Sequence, residues 1–332
     1  MRSLGTVLKK LTKKGNIGLI ASVALLTVVM SLAYPNFLTL FNIEITAMGF
    51  IQEALMALGM TLVIISGGID LSVAAVLPFT AIIVGLLLKT SLGVWPSIAI
   101  ALGVAVLIGF INALMINKLR VFPFIATLAT ATMLRGVALV ITEGATISGF
   151  PTAFYEIGHG RVYGIPVPVI IFLVLAVLFA LLLKNHSYFQ QVYFVGGNAK
   201  AAQLSGIKVN RLRYVIYGIS AFMAGLAGII TASQYVSAST GFGLNSDTRV
   251  ITSVIIGGAS LSGGKGSIGG TIWGVIFLAI ISNAFVQSGA PTYWQDVVYG
   301  GMLLAAVFLE EYLRARGRKA KMKSWREFLT SG

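Results

Sequence analysis

The sequence predicts an all-α, polytopic transmembrane bundle of about ten helices. Three observations carry that prediction. Between Lys14 and Glu44, Lys89 and Lys118, Arg161 and Lys184, and Lys265 and Asp296 the chain has no charged residue at all. A hydrocarbon core about 30 Å thick takes about 20 apolar helical residues per crossing, and these runs are that long. Second, the runs are continuously apolar rather than alternating, so helices rather than barrel strands satisfy the backbone in lipid. Third, 57% of the chain is hydrophobic and only 10% charged, which leaves no stretch of ordinary soluble composition and argues for one membrane domain.

Taken in order, the expected spans are 17–34, 43–66, 72–89, 95–116, 122–142, 165–183, 213–235, 248–262, 267–288 and 295–312. The first also has the outline of a signal peptide, with basic residues, an apolar run and Ser31-Leu32-Ala33. The run exceeds the roughly 7–15 residues of a signal's apolar region, so an uncleaved first helix is expected. The second span stops at Gly67-Gly68, and Asp70 or Ser72 can cap the third. The fifth contains Arg135 and the second Glu53, both ionisable residues at membrane depth and hence candidates for a pathway or a mutual ion pair. The eighth is short and glycine-rich, which predicts a broken or re-entrant helix. Asp296 stands near the outer end of the tenth.

The net charge of +14 is explained by topology. Lys and Arg gather in an N-tail (residues 1–16), at Lys118 and Arg120, in a loop spanning 184–213 and in a C-tail (313–332). Such residues collect on the cytoplasmic side, so both termini are expected there and no nucleic-acid partner is implied. The absence of cysteine excludes disulfides and thiolate chemistry. His159 and His186 lack ligand spacing, and no catalytic constellation is present, so neither a metal site nor an enzyme is expected. Ser262-Gly-Gly-Lys-Gly-Ser267 imitates a phosphate-binding loop but has Ala259 and Gly266 where the pattern needs Gly and Ser or Thr. Gly266, Gly270 and Gly274 instead recur every four residues, a spacing that lets a neighbouring helix approach closely.

Two segments are long enough to do more than turn. The outer one is Glu143–Gly164. The inner one is Lys184–Arg213, where Gly196-Gly197-Asn198 reads as a helix stop and Asn198 can cap a short helix over Ala199–Ser205 that Gly206 ends. A short helix exposed to cytosol is a docking surface. There is one internal echo: Val63-Ile-Ile-Ser-Gly-Gly resembles Val254-Ile-Ile-Gly-Gly, and transporters often repeat interrupted helices. On the residues alone, Gly67, Gly68, Asp70 and Ser72 fit either a pathway lining or a tight, Asp-capped turn.

Several blocks together resemble the ribose-type permeases, the membrane subunits of ATP-binding-cassette importers for monosaccharides. They are Leu58-Gly-Met-Thr-Leu-Val-Ile-Ile-Ser-Gly-Gly-Ile-Asp-Leu-Ser72, Phe122-Pro-Phe-Ile-Ala-Thr-Leu-Ala-Thr130 with Arg135-Gly136, Val192-Tyr-Phe-Val-Gly-Gly-Asn198, Ala201-Ala202 with Leu204-Ser-Gly-Ile207, Val254 to Ser267, and Trp294. The likeness spans about residues 36 to 312. It implies a permease dimer, of two copies or of a copy and a paralogue, in the bacterial plasma (inner) membrane. The partners it implies are a cytoplasmic ATPase that binds ATP-Mg, so that no cofactor belongs to this chain, and a periplasmic or lipid-anchored sugar-binding protein. It assigns the contact with the ATPase to the loop around Gly196, Gly197, Asn198, Ala201, Ala202 and Gly206. Two departures are Lys200, where many relatives are acidic, and Leu244-Asn245-Ser246-Asp247, where relatives often carry Glu-Leu. Relatives also carry autoinducer-2, so the ligand is a ribose-like or autoinducer-2-like sugar. The alternative, an ion-coupled secondary transporter of a small polar solute, would need coupling carboxylates in the membrane, for which Glu53 and Asp70 are thin support.

Overall fold

The computed structural model describes residues 17–330 apart from residue 292, with side chains described up to residue 312. The basic tails expected at 1–16 and 313–332 lie outside this range, except that the backbone of the last helix runs on to Thr330.

Fourteen helices form the bundle among the described residues. They are α1 (Ile17–Ala33), α2 (Leu40–Gly49), α3 (Ile51–Ile65), α4 (Val73–Leu87), α5 (Val94–Asn117), α6 (Pro123–Thr142), α7 (Thr152–His159), α8 (Val167–Asn185), α9 (Ser187–Gly197), α10 (Ala199–Leu204), α11 (Val209–Gln234), α12 (Ser246–Ile256), α13 (Ile268–Ser288) and α14 (Tyr293–Thr330). Five of them, α5, α6, α8, α11 and α13, are each long and apolar enough to cross a membrane, while α1 and α4 are shorter apolar helices. Two short antiparallel ladders close the outer segment. In one, β1 (Ile147–Ser148) pairs with β4 (Ser237–Ala238); in the other, β2 (Arg161–Val162) pairs with β3 (Ile165–Pro166).

At the centre stands α11, packed against α3, α4 and α5 and buried along most of its length. Small residues permit that crowding: a Cβ at Gly109 or Gly228 would overlap the backbone of Tyr217 or Leu77. By contrast α8 buries few of its residues and exposes Leu173, Val174, Val177, Leu178 and Leu181, as a lipid-facing helix does. The ends of the outer segment are tied down. Arg161 forks onto the Glu44 carboxylate, with Nη1 3.0 Å from Oε2, which fixes the β2–β3 hairpin to α2.

Two expected spans prove to be interrupted. The span expected at 43–66 is a pair of helices, α2 and α3, meeting at 51° about Phe50. The eighth span, expected to be broken, is only the eleven-residue α12, with non-helical chain on either side. The 184–213 loop also holds a helix, α9, which ends at the Gly196-Gly197-Asn198 stop and to which the sequence reading gave no bounds.

Candidate functional site: a glycine junction and two buried polar networks

The 184–213 loop is built by caps. Asn198 Oδ1 accepts the Ala201 N–H at 3.0 Å and starts α10. The helix stops where Gly206 (φ +87°) donates to Gln203 O and Ile207 to Ala202 O. Ala202 is buried while Lys200, Ala201, Gln203 and Leu204 face out, and Leu204 is 84% exposed. Beside α10 lies a cleft of about 460 Å³ lined by Asn117, Arg120, Gln203, Asn210 and Arg213, with no carboxylate among its lining residues.

The C-terminal end of α9 plugs into the two helix breaks. Gly67 (φ +81°) and Gly258 (φ +90°) hold equivalent left-handed positions one residue beyond the caps of α3 and α12. Gly67 donates to Ile64 O and Gly68 to Val63 O; Gly258 donates to Ile255 O and Ala259 to Val254 O. The same pair of bonds thus ends both helices, so the sequence echo is a structural one. The breaks then meet: Gly264 N–H donates to Ile65 O at 2.7 Å. Gly196 sits on that bond so closely that a Cβ there would overlap the Ile65 carbonyl and the Gly264 nitrogen. Tyr193 Oη adds a bond to Gly266 O at 3.1 Å. Gly197, one residue on, has open space where a Cβ would stand.

Asp70 lies inside the protein. It is fully buried, and its Oδ1 accepts from Ser72 N at 3.1 Å and from Ser72 Oγ at 2.5 Å. Asn112 Nδ2 donates to Ser72 Oγ at 2.8 Å, and Thr130 Oγ1 donates to Asn112 Oδ1 at 2.6 Å. The chain of bonds therefore joins the α3–α4 break to α5 and α6. Leu71 N–H bonds Thr127 Oγ1, and Tyr217 Oη bonds Ile69 O, so α6 and α11 also grip this loop. Neither Asp70 nor Ser72 makes the expected side-chain cap to the first turn of α4; Asp70 folds back on Ser72 instead, in an Asx-type turn.

The other network stands at the first turn of α3. Glu53, 2% exposed, pairs with Arg249 Nη1 at 3.6 Å, and Arg249 Nη2 reaches Asp296 Oδ1 at 3.2 Å. The guanidinium also covers the Tyr299 ring at 5.4 Å. Gln52 Nε2 donates to Glu53 Oε1 at 3.1 Å, and Asn245 Nδ2 donates to Asp296 Oδ2 at 3.0 Å. The pairing of Glu53 with Arg135 weighed from the sequence is therefore wrong. Arg135 lies on the exposed side of α6 and makes no ion pair among the described residues, the Glu53 carboxylate being taken by Arg249. Arg249, inside the eighth expected span, is the partner the sequence did not single out.

Of the three periodic glycines, Gly270 and Gly274 sit on α13 against the Gly257 and Ser253 carbonyls of α12, where a Cβ would overlap backbone. Gly266 precedes the helix, so the three do not share one helix face; its close neighbours are the side chains of Ile65 and Ala259. Asn112 and Thr130 were not singled out: Asn112, an amide within a long apolar run, carried a signal, whereas Thr130 stands among Thr127 and Thr132 with nothing to set it apart.

Residues 42–307 match the family described as branched-chain amino acid transport system / permease component. The chain belongs to that family. The ribose import permease protein RbsC of Bacillus subtilis (strain 168) is 39% identical over 86% of this chain and 89% of its own length. The protein of the same name in Escherichia coli (strain K12) is 35% identical over 88% of this chain and 92% of its own. The L-arabinose transport system permease protein AraH of Escherichia coli (strain K12) is 30% identical over 89% and 90%. No solved structure matches the chain. As a member of this family the chain is a transport subunit rather than an enzyme, a multi-pass protein of the bacterial inner membrane.

Proposed function

We propose that the chain is the membrane-spanning permease of an ATP-binding-cassette importer. It takes a monosaccharide or related small sugar from an extracytoplasmic binding protein and is driven by a separate ATPase subunit. The relatives named for ribose and L-arabinose support the substrate class. On this reading both termini and the 184–213 loop face the cytoplasm, as the distribution of Lys and Arg argues, and two permease chains pair in the membrane.

The observation that carries the mechanism is the contact of Gly196 with Ile65 and Gly264. The exposed α10 docks the ATPase through Lys200, Ala201, Gln203 and Leu204, with the basic cleft at Arg120 and Arg213 beside it. Motion of α10 passes along α9 to Gly196, which bears on both helix breaks at once. Those breaks carry α3, α4, α12 and α13, so ATPase closure is delivered to the helices that border the solute path. Packed backbone without intervening side chains transmits displacement with little slack. Asp70 and Ser72 hold the first break to α5 and α6 rather than facing an open channel in this conformation. Gly67 and Gly68 are on this account part of the linkage. Arg135, on an exposed face of α6, is assigned to the face that the second permease chain covers, since a cation exposed to lipid at that depth is costly.

Affinity purification of the tagged permease tests the reading. An ATPase subunit is expected to co-purify in stoichiometric amount, and bulky substitution at the buried Ala202 is expected to release it while the permease stays in the membrane. Recovery of the permease as a stable homogeneous protein without an ATPase, from cells carrying its neighbouring genes, would contradict it.

A further inference from the structure

We infer that a small cavity at the outer break of the bundle is a transient binding subsite for one neutral sugar ring. It is lined by the hydrogen-bonded pair Gln52 and Thr231 and by the ring pair Tyr235 and Phe242. The inference rests on the permease reading and specifies where that permease first holds its solute.

The cavity has a volume of about 290 Å³, with Gly241, Gly243 and Leu244 completing the wall. Pockets for drug-sized ligands run from roughly 300 to 1,000 Å³, so this one suits a single ring. Its position is telling. Gln52 stands just after the bend at Phe50, and the loop from Tyr235 to Asn245 leads directly into the short helix α12. Both interrupted spans thus open here, at the end opposite the glycine junction.

The loop is constructed rather than slack. Val236 (φ +48°) and Asn245 (φ +59°) bracket it in left-handed conformations. For a β-branched valine that backbone is an outlier, held only where the surroundings demand it. Within the loop, Phe242 N bonds Ser239 O, Gly241 N bonds Ser239 Oγ, and Ser246 Oγ bonds Gly243 O at 2.8 Å. These bonds present Phe242 against Tyr235, with ring centroids 5.3 Å apart and planes tilted by 35°. Tyr235 is nevertheless 66% exposed, leaving ring surface for the C–H face of a sugar.

The polar wall is equally set. The Glu53 carboxylate can only accept, so it orients the Gln52 amide group with its NH₂ inward at 3.1 Å. Thr231 Oγ1 donates to Gln52 Oε1 at 3.3 Å. One amide N–H, one carbonyl lone pair and the Thr231 oxygen lone pairs remain, a mixture of donor and acceptor that matches sugar hydroxyls. No ionisable side chain other than the Tyr235 phenol lines the cavity, since Glu53 behind it is occupied by Arg249. The chemistry selects an uncharged polyol with one apolar face over an ionic solute.

The chain has no native cysteine, which permits a direct test. Leu244→Cys, at the cavity wall, is labelled with a maleimide in the permease–ATPase complex held in lipid nanodiscs. D-ribose, L-arabinose and the anionic polyol gluconate are added separately. At about ten times its Kd a bound sugar should slow labelling about tenfold by occupancy. At least one of the two sugars is expected to protect, and gluconate is not. Tyr235→Ala and Gln52→Ala should each abolish protection, and Tyr235→Phe should retain it, with co-elution of permease and ATPase as one complex in size-exclusion chromatography as the control for folding. If neither sugar slows labelling while the same complex reconstituted in liposomes, supplied with its binding protein, imports either sugar with ATP, the subsite is wrong and the permease reading stands. If neither is imported nor protects, both fall. Equal protection by gluconate would also overturn the subsite.

Discussion

The Gly264 amide donates to the Ile65 carbonyl across 2.7 Å, and so joins the break after α12 to the end of α3. Nearly 200 residues apart in sequence, these two positions lie in the loop beyond the α12 cap and at the last residue of α3, and Gly196 rests on the bond between them. The permease account is organised around this three-way contact.

Gly196→Ala puts a methyl group into the Ile65 carbonyl, so the junction must open to accept it. The melting temperature of the purified permease is expected to fall by several degrees, as for a loss of roughly 1–3 kcal/mol from overpacking. Gly197→Ala, entering open space, is expected to leave it unchanged. Equal melting temperatures for the two variants would remove the tight junction from the account.

For Asp70 the prediction separates its oxygen from its charge. Asp70→Asn keeps an Oδ1 acceptor for Ser72 and should retain stability to within about 1 kcal/mol. Asp70→Ala leaves the buried Ser72 N–H without its partner, a cost of about 1–3 kcal/mol, and loosens the links to Asn112 and Thr130. Thermal denaturation in detergent checks both. An Asn variant as unstable as the Ala variant would mean that the charge itself is needed.

The ion pair of Glu53 with Arg249 predicts non-additivity. Removing one partner of a buried pair leaves the other uncompensated, at a cost of roughly 3–5 kcal/mol, whereas replacing both with neutral groups is much cheaper. Arg249→Met is therefore expected to destabilise more than Glu53→Gln combined with Arg249→Met. A double-mutant cycle read by thermal unfolding gives the coupling, and additive single effects would show that the contact is not energetically real.

These residues also mark what a sequence can convey. Uncharged runs located most of the spans, because lipid tolerates little else at that depth. Asn198 and Gly206 announced α10 through capping chemistry that acts within a few residues. The bend at Phe50 was hidden, since Phe50 and Ile51 are as apolar as the rest of the run and the break is imposed by what packs around it. Arg249 could not be matched to Glu53, nor Asn112 to Ser72, because each pairing depends on helices brought together only by folding. The Val63 and Val254 repeats were visible as letters, and only the matching φ angles and hydrogen bonds give them a common role.

The most direct test of the central claim uses proteoliposomes containing the permease and its ATPase, with the loaded binding protein outside and ATP inside. Labelled D-ribose and L-arabinose are followed into the lumen, with and without ATP and with a protonophore present. The account predicts that at least one sugar accumulates only when ATP and the ATPase are both supplied, and that collapsing ion gradients has no effect. Sugar movement by the permease alone, driven by a proton or sodium gradient, would contradict it.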